Sequence, residues 1–149
     1  MRKTILLADD DPSIRTMVGR ILEAEGYEVW LARTGREAAS KFMEGPPDLV
    51  LLDLSMPDKE GWEAWHLMNS LEPLVPVIII TARPHQYEEA VRMKIDALME
   101  KPLDLPLLLQ TMEELLAEPD GQRVARVSHP SFKTALLTAR NRYQLESGT

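Results

Sequence analysis

Apolar positions along the first 118 residues follow two periods in alternation. Ile5-Leu6-Leu7-Ala8, Leu49-Val50-Leu51-Leu52, Val77-Ile78-Ile79-Ile80 and Ala97-Leu98-Met99 are short, nearly unbroken apolar runs, the pattern of strands covered on both faces. Segments with helical spacing separate them. Asp11-Pro12 supplies an N-cap and a proline at the first helical position, Ile14, Met17, Val18, Ile21 and Leu22 make one stripe, and Gly26 stops the helix. A strand over residues 28–32 and a helix over about residues 35–43, closed by Gly45-Pro46-Pro47, come next. Trp62, Trp65, Met68 and Leu71 mark a third helix ending before Pro73; a fourth is expected over about residues 84–93. Leu105, Leu108, Leu109, Met112, Leu115 and Leu116 form the stripe of a fifth. Five strand–helix units in succession predict an α/β fold with a doubly wound five-stranded parallel sheet and right-handed crossovers.

Beyond residue 118 the pattern changes. Pro119-Asp120-Gly121 reads as a turn and linker, and Phe132, Ala135, Leu136, Ala139 and Tyr143 have the spacing of a further helix reaching about Leu145. The expected division is therefore a domain over residues 1–118, followed by a linker and a C-terminal helix over 119–149. That segment is too short for a winged-helix or helix-turn-helix unit, so no DNA-binding domain is expected in it. Docking of its apolar face on the main body, or pairing with a second copy as a homodimer, fits better than full disorder.

Composition narrows the chemistry. The chain is 44% hydrophobic and 28% charged, as in soluble globular proteins. No run approaches the ~18 apolar residues of a membrane span, and Met1-Arg2-Lys3 leads directly into a strand, so a cytoplasmic protein without membrane association is expected. The absence of cysteine excludes disulfides, thiolate metal sites and cysteine nucleophiles, and His66, His85 and His129 are too scattered for a histidine metal site. Residues 1–118 carry 12 Lys/Arg against 22 Asp/Glu (net −10), and residues 119–149 carry 5 against 2 (net +3). The body is thus a poor nucleic-acid binder, while the tail's basic residues are either solvated or face an acidic surface.

Four polar clusters follow the apolar runs: Asp9-Asp10-Asp11, Asp53, Thr81 and Lys101. Parallel strands bring their carboxyl ends to one edge of a sheet, so clusters remote in sequence converge there. A carboxylate can accept a phosphoryl group as an acyl phosphate. Converging carboxylates repel unless a hard cation such as Mg2+, which prefers oxygen ligands, neutralises them. A lysine adds fixed positive charge for phosphate oxygens, and a threonine adds a hydroxyl donor. Each residue also has a plainer reading: Asp11 as a helix N-cap, Asp53 as a turn cap, Thr81 as a β-branched strand end, Lys101 as a solvated surface charge.

At these residues the chain resembles the receiver domain of bacterial two-component response regulators, the CheY-like superfamily. The resemblance rests on Ile5-Leu6-Leu7-Ala8-Asp9-Asp10-Asp11-Pro12, Asp53-Leu54-Ser55-Met56-Pro57 with Gly61, Thr81-Ala82 and Lys101-Pro102, in order and at family spacing, over about residues 3–118. It implies a flavodoxin-like sheet of order 2-1-3-4-5 with a short C-terminal helical extension. It further implies that Asp53 is the phosphoacceptor, and that Asp10, Asp53 and the Ser55 backbone carbonyl hold Mg2+, with Asp9 acting through water. Lys101 and Thr81 would contact the phosphoryl group, the Lys101-Pro102 peptide would be cis, and a histidine kinase or phosphotransfer protein would be the donor. Phosphorylation would then shift association with an output partner or with a second copy. Such a chain is a signalling switch rather than a metabolic enzyme.

Some positions depart from the family pattern. Leu98 stands where many receivers have an aromatic residue, Lys94-Ile95 replaces a common Gly-Ala pair, and Ser55 and Arg83 occupy positions that tune dephosphorylation. Two other readings use the same residues: a receiver-like scaffold that is not phosphorylated, and a haloacid dehalogenase-type phosphohydrolase. The latter typically needs an acid two positions past its nucleophile, where Ser55 stands here. Trp62 and Trp65, three apart on one helix, are read as core residues.

Overall fold

The computed structural model describes residues 2–55, 60–83 and 85–138. Met56-Pro57, Pro84 and the portion of the expected last helix beyond residue 138 lie outside the described residues. The elements are β1 (Thr4–Ala8), α1 (Pro12–Ala24), β2 (Glu28–Ala32), α2 (Gly35–Glu44), β3 (Leu49–Asp53), α3 (Glu60–Leu71), β4 (Val77–Thr81), α4 (Tyr87–Arg92), β5 (Ala97–Glu100), α5 (Leu105–Ala117), α6 (Asp120–Ser128) and β6 (Ala135–Leu137). All strands are parallel, in the order β2-β1-β3-β4-β5-β6. The first five follow the expected order.

The two-residue period of the strands divides the core between the faces of the sheet. Leu6, Ala8, Val50, Leu52, Ile79 and Leu98 meet Ala38 and Phe42 of α2, Ala64, Trp65 and Met68 of α3, and Ala90 of α4. Ile5, Leu7, Leu49, Leu51, Ile78 and Ile80 meet Val18 and Leu22 of α1 and Leu107, Leu108 and Met112 of α5. Trp65 is buried and Trp62 packs on the same cluster, edge to face with it at 6.4 Å, so the pair belongs to the core. Local signals set the helix starts. Asp11 accepts from the Ser13 and Ile14 amides to cap α1, Thr34 accepts from Glu37 to cap α2, and Asp104 accepts from Leu107 to cap α5. Gly26, at φ 95°, makes the left-handed turn after α1.

The structure corrects the reading of the chain's end. The extension is helical, but its helix is α6, in the stretch expected to be a linker, and residues 135–137, expected to be helical, form a sixth strand. Ion pairs rather than an apolar stripe hold α6. Asp96, with its side chain 1% exposed, accepts at Oδ2 from Arg123 Nη2 (3.0 Å) and the Val77 amide (3.0 Å), and at Oδ1 from Arg126 Nη2 (2.8 Å). Arg126 also pairs with Glu118, and Arg123 donates to the Pro73 carbonyl. The three-residue β6 answers a different demand, pairing the edge of β5 that would otherwise leave backbone groups open. The apolar spacing at Phe132, Ala135 and Leu136 is short enough to serve either period, and tertiary pairing decides it. α4 is also shorter than expected. His85, at φ 62°, precedes it and Lys94, at φ 59°, follows it, both in the left-handed region. Among the described residues no helix is long and apolar enough to cross a membrane.

Candidate functional site

Strand register assembles the polar residues at one edge. Ala8 lies beside Leu52, so Asp9 and Asp53 each follow one of a pair of neighbours. Asp53 lies beside Ile80 and Thr81 beside Glu100, which places Thr81 and Lys101 at the same carboxyl edge. Helix α3 must approach this edge closely. A Cβ at Gly61 would lie 2.9 Å from Leu54 Cδ2 and 3.3 Å from the Asp53 carbonyl oxygen, so glycine lets the helix start directly against the backbone that carries Asp53.

The acidic side chains converge on one lysine. Lys101 Nζ lies 3.2 Å from Asp53 Oδ2 and 3.7 Å from Asp9 Oδ2, and both carboxylates are almost fully buried. Each also accepts a backbone amide at its other oxygen: Asp53 Oδ1 from Ser55 (2.8 Å) and Asp9 Oδ1 from Asp11 (2.9 Å). The Lys101-Pro102 peptide is cis. Burial, reinforced by the Asp53 charge and opposed by the Asp11 amide and Lys101, pushes the Asp9 carboxyl up to about 6.

Asp10 completes the cluster from the solvent side. Carboxylate oxygens of Asp9, Asp10 and Asp53 lie within 4.8 Å of one another, two residues buried and one exposed. Hard carboxylate donors, close enough for one small cation and its waters to bridge, suit Mg2+. Asp11, by contrast, is committed to its cap.

Thr81 is fully buried, and its hydroxyl accepts from the Arg83 amide at 2.9 Å, so it faces its own loop. Ser55 Oγ accepts from the Ala82 amide at 3.2 Å, joining the loops after β3 and β4. The Arg15 guanidinium donates to the Asp9 carbonyl at 2.8 Å and steadies the turn that presents Asp9 and Asp10. Sequence reasoning did not find these three contacts. Arg15 is a half-buried polar residue outside the apolar stripe of α1, and the Ser55–Ala82 bond spans 27 residues with no local pattern to mark it.

Comparison with known proteins agrees with this geometry. The model of the response regulator receiver domain family matches residues 5–113. Response regulator MprA of Mycolicibacterium vanbaalenii is 36% identical over 114 residues, which is 75% of this chain and 49% of that protein. Transcriptional regulatory protein ZraR of Escherichia coli is 37% identical over 115 residues, which is 76% of this chain and 26% of that one. The chain thus spans at most about half the length of these relatives. Among solved structures, a CheY-like response regulator receiver domain protein from Methanospirillum hungatei superposes with a TM-score of 0.76 at 32% identity, covering 83% of this chain and 99% of that one. Response regulator protein TrrA from Thermotoga maritima, in complex with Mg2+-BeF, gives a TM-score of 0.70 at 33% identity, covering 76% and 98%. By the order of its strands, the acidic cluster at their carboxyl edge and these matches, the chain belongs to the response regulator receiver domain family.

Proposed function

We propose that this chain is a phosphorylation-controlled switch in which Asp53 accepts a phosphoryl group from the phosphohistidine of a histidine kinase or phosphotransfer protein. The observation that carries this reading is the set of buried Asp53 and Asp9 carboxylates beside one lysine, with Asp10 at the mouth. In the transfer, an Asp53 carboxylate oxygen forms the new bond to phosphorus as the phosphorus–nitrogen bond to the donor imidazole breaks, and the imidazole keeps the electron pair. Hydrolysis later returns Asp53 when water attacks phosphorus and the acyl-phosphate oxygen leaves with its pair. Lys101, already poised on Asp53, shifts its charge to a phosphoryl oxygen. Thr81 turns its hydroxyl proton from the Arg83 carbonyl, 3.5 Å away, to the same group.

Asp10, Asp53 and the Ser55 backbone carbonyl would hold Mg2+, with Asp9 acting through water. When bound, the ion screens the approach of one anion to another and stabilises charge on the group in transit. Residues 1–118 form the receiver unit, and residues 119–149 are an extension attached to it. The switch acts in the cytoplasm, through association with an output partner or a second copy, and turns over no metabolite.

Incubation with Mg2+ and acetyl phosphate, followed by intact-mass measurement, tests the proposal. One phosphate adduct is expected, absent from Asp53→Ala and absent without Mg2+. No adduct under conditions that modify another receiver, and none from a panel of phosphorylated histidine kinases, would overturn it.

A further inference from the structure

Ion pairs fix the first part of the extension, and a short strand joins its next part to the sheet. The fixed part is α6, where Arg123 and Arg126 occupy both oxygens of the buried Asp96 carboxylate. The strand is β6, three residues long, with Leu137 buried, Leu136 packed on the core and Ala135 exposed. Just before β6, Thr134 Oγ1 donates to the Ile95 carbonyl at 2.7 Å, and the Ala135 amide donates to the Asp96 carbonyl at 3.1 Å. α4 also reaches this segment: the hydroxyl of Tyr87, its first residue, donates to the Thr134 carbonyl at 2.7 Å.

α4 is suited to move. It has six residues and buries only Ala90, and a non-glycine residue in the left-handed region lies close to each end. Bonds that begin at the candidate site hold the loop that leads into it, among them Arg83 amide to Thr81 Oγ1, Thr81 hydroxyl to the Arg83 carbonyl, and Ala82 amide to Ser55 Oγ. Donation of the Thr81 hydroxyl to a group on Asp53 takes its proton away from the Arg83 carbonyl, to which it now donates at 3.5 Å, and draws on the Arg83 amide that it accepts; only the residues before Tyr87 separate that change from the Thr134 contact.

We propose that residues 119–138 are a clasp whose strand β6 is held on or released from β5 by the position of α4, through the Tyr87–Thr134 hydrogen bond. A change at the carboxyl edge of the sheet thereby reaches the chain's C-terminal segment without passing through the core. The triggering step rests on phosphorylation of Asp53, as proposed above, whereas the coupling of α4 to β6 does not. The anchor at Asp96 stays closed throughout, so release exposes the β5 edge while α6 remains in place.

Amide hydrogen exchange on the full chain, read residue by residue by NMR, tests this. In Tyr87→Phe the amides of Ala135 and Leu137, the alternate N–H groups that face β5, should exchange roughly three- to tenfold faster, the effect of one net hydrogen bond, while those of β1 and β3 keep their rates. Wild-type protein phosphorylated with acetyl phosphate and Mg2+ should show the same selective change. This second arm needs no substitution and decides the matter if Tyr87→Phe does not fold. Unchanged β6 exchange in folded Tyr87→Phe, or in a chain that intact mass shows to be phosphorylated, overturns the clasp. Failure to form any adduct overturns the phosphorylation reading instead, and the coupling then stands or falls on Tyr87→Phe.

Discussion

Asp9 keeps its proton to about pH 6, against 3.8 for an ordinary aspartate, because it is buried and faces the Asp53 charge. Between those values the folded chain holds a proton that the unfolded chain has released. Folded stability contributed by this group therefore falls as pH rises through the window, the reverse of a salt-bridged carboxylate. A divalent cation needs the ionised form, so protons and Mg2+ compete for the site. Mg2+ affinity of the unphosphorylated chain, measured by calorimetric titration, should be about tenfold weaker at pH 5 than at pH 7.5, since at pH 5 roughly nine in ten Asp9 carboxyls are protonated. Asp9→Asn should flatten that dependence. Lys101 already offsets part of the negative charge, yet its ammonium is 3.7 Å from Asp9 and closer to Asp53, so it does not fully relieve Asp9. The acidic cluster was legible in the sequence because Asp9-Asp10 and Asp53 each come directly after an apolar run. The orientation of Thr81 toward Arg83 was not, since a hydroxyl's choice between two neighbours leaves no trace in residue type.

The elements that frame the site were legible for a related reason: a strand buried on both faces must be nearly all apolar, and β3 and β4 are buried along their whole length. What the period could not convey is how closely α3 begins against β3. An alanine at Gly61 gains about 1 kcal/mol of helix propensity, against an overpacking cost of about 1–3 kcal/mol, part of which Leu54 relieves by rotating its side-chain end. The Asp53 carbonyl oxygen, 3.3 Å from the new atom, has no such freedom and must shift by a few tenths of an ångström. Gly61→Ala is therefore expected to change unfolding free energy by less than about 1–2 kcal/mol while slowing adduct formation with acetyl phosphate by roughly three- to tenfold, because transfer is sensitive to small misplacement of the nucleophile. Urea denaturation and time-resolved intact mass separate the two effects. α6 was missed for the opposite reason. Val124 is half exposed, and the residues that hold the helix, Arg123 and Arg126, act through an aspartate 27 and 30 positions away. Charge pairing at that separation has no periodicity to read.

At the scale of the molecule, the basic extension is ion-paired with the body it adjoins. Arg123 and Arg126 face Asp96 and Glu118, and the Arg126 contact holds the Glu118 carboxyl below the usual range. The sequence exposed the contrast in charge between body and tail but not its destination, because Asp96 is one of many acidic residues until the fold buries it. Removing residues 119–149 would strip the β5 edge, uncover the site of Leu137, and leave Asp96 with only the Val77 amide. A carboxylate that loses its cations while staying buried costs about 3–5 kcal/mol, and removing the arginines also opens Asp96 to water, so urea denaturation of the truncated chain should show a loss of up to that order. Lost packing alone would also destabilise it, and the two causes separate by sign. In the full chain Asp96→Asn breaks two charge pairs and should destabilise. In the truncated chain the same substitution removes an unpaired buried charge, keeps an oxygen for Val77, and should recover about 1–3 kcal/mol. Such a reversal in a double-mutant cycle identifies the Asp96 charge, rather than general packing, as what binds the extension to the receiver. If Asp96→Asn destabilises both chains alike, the anchor is packing, and Arg123 and Arg126 merely lie over a carboxylate that the body already accommodates.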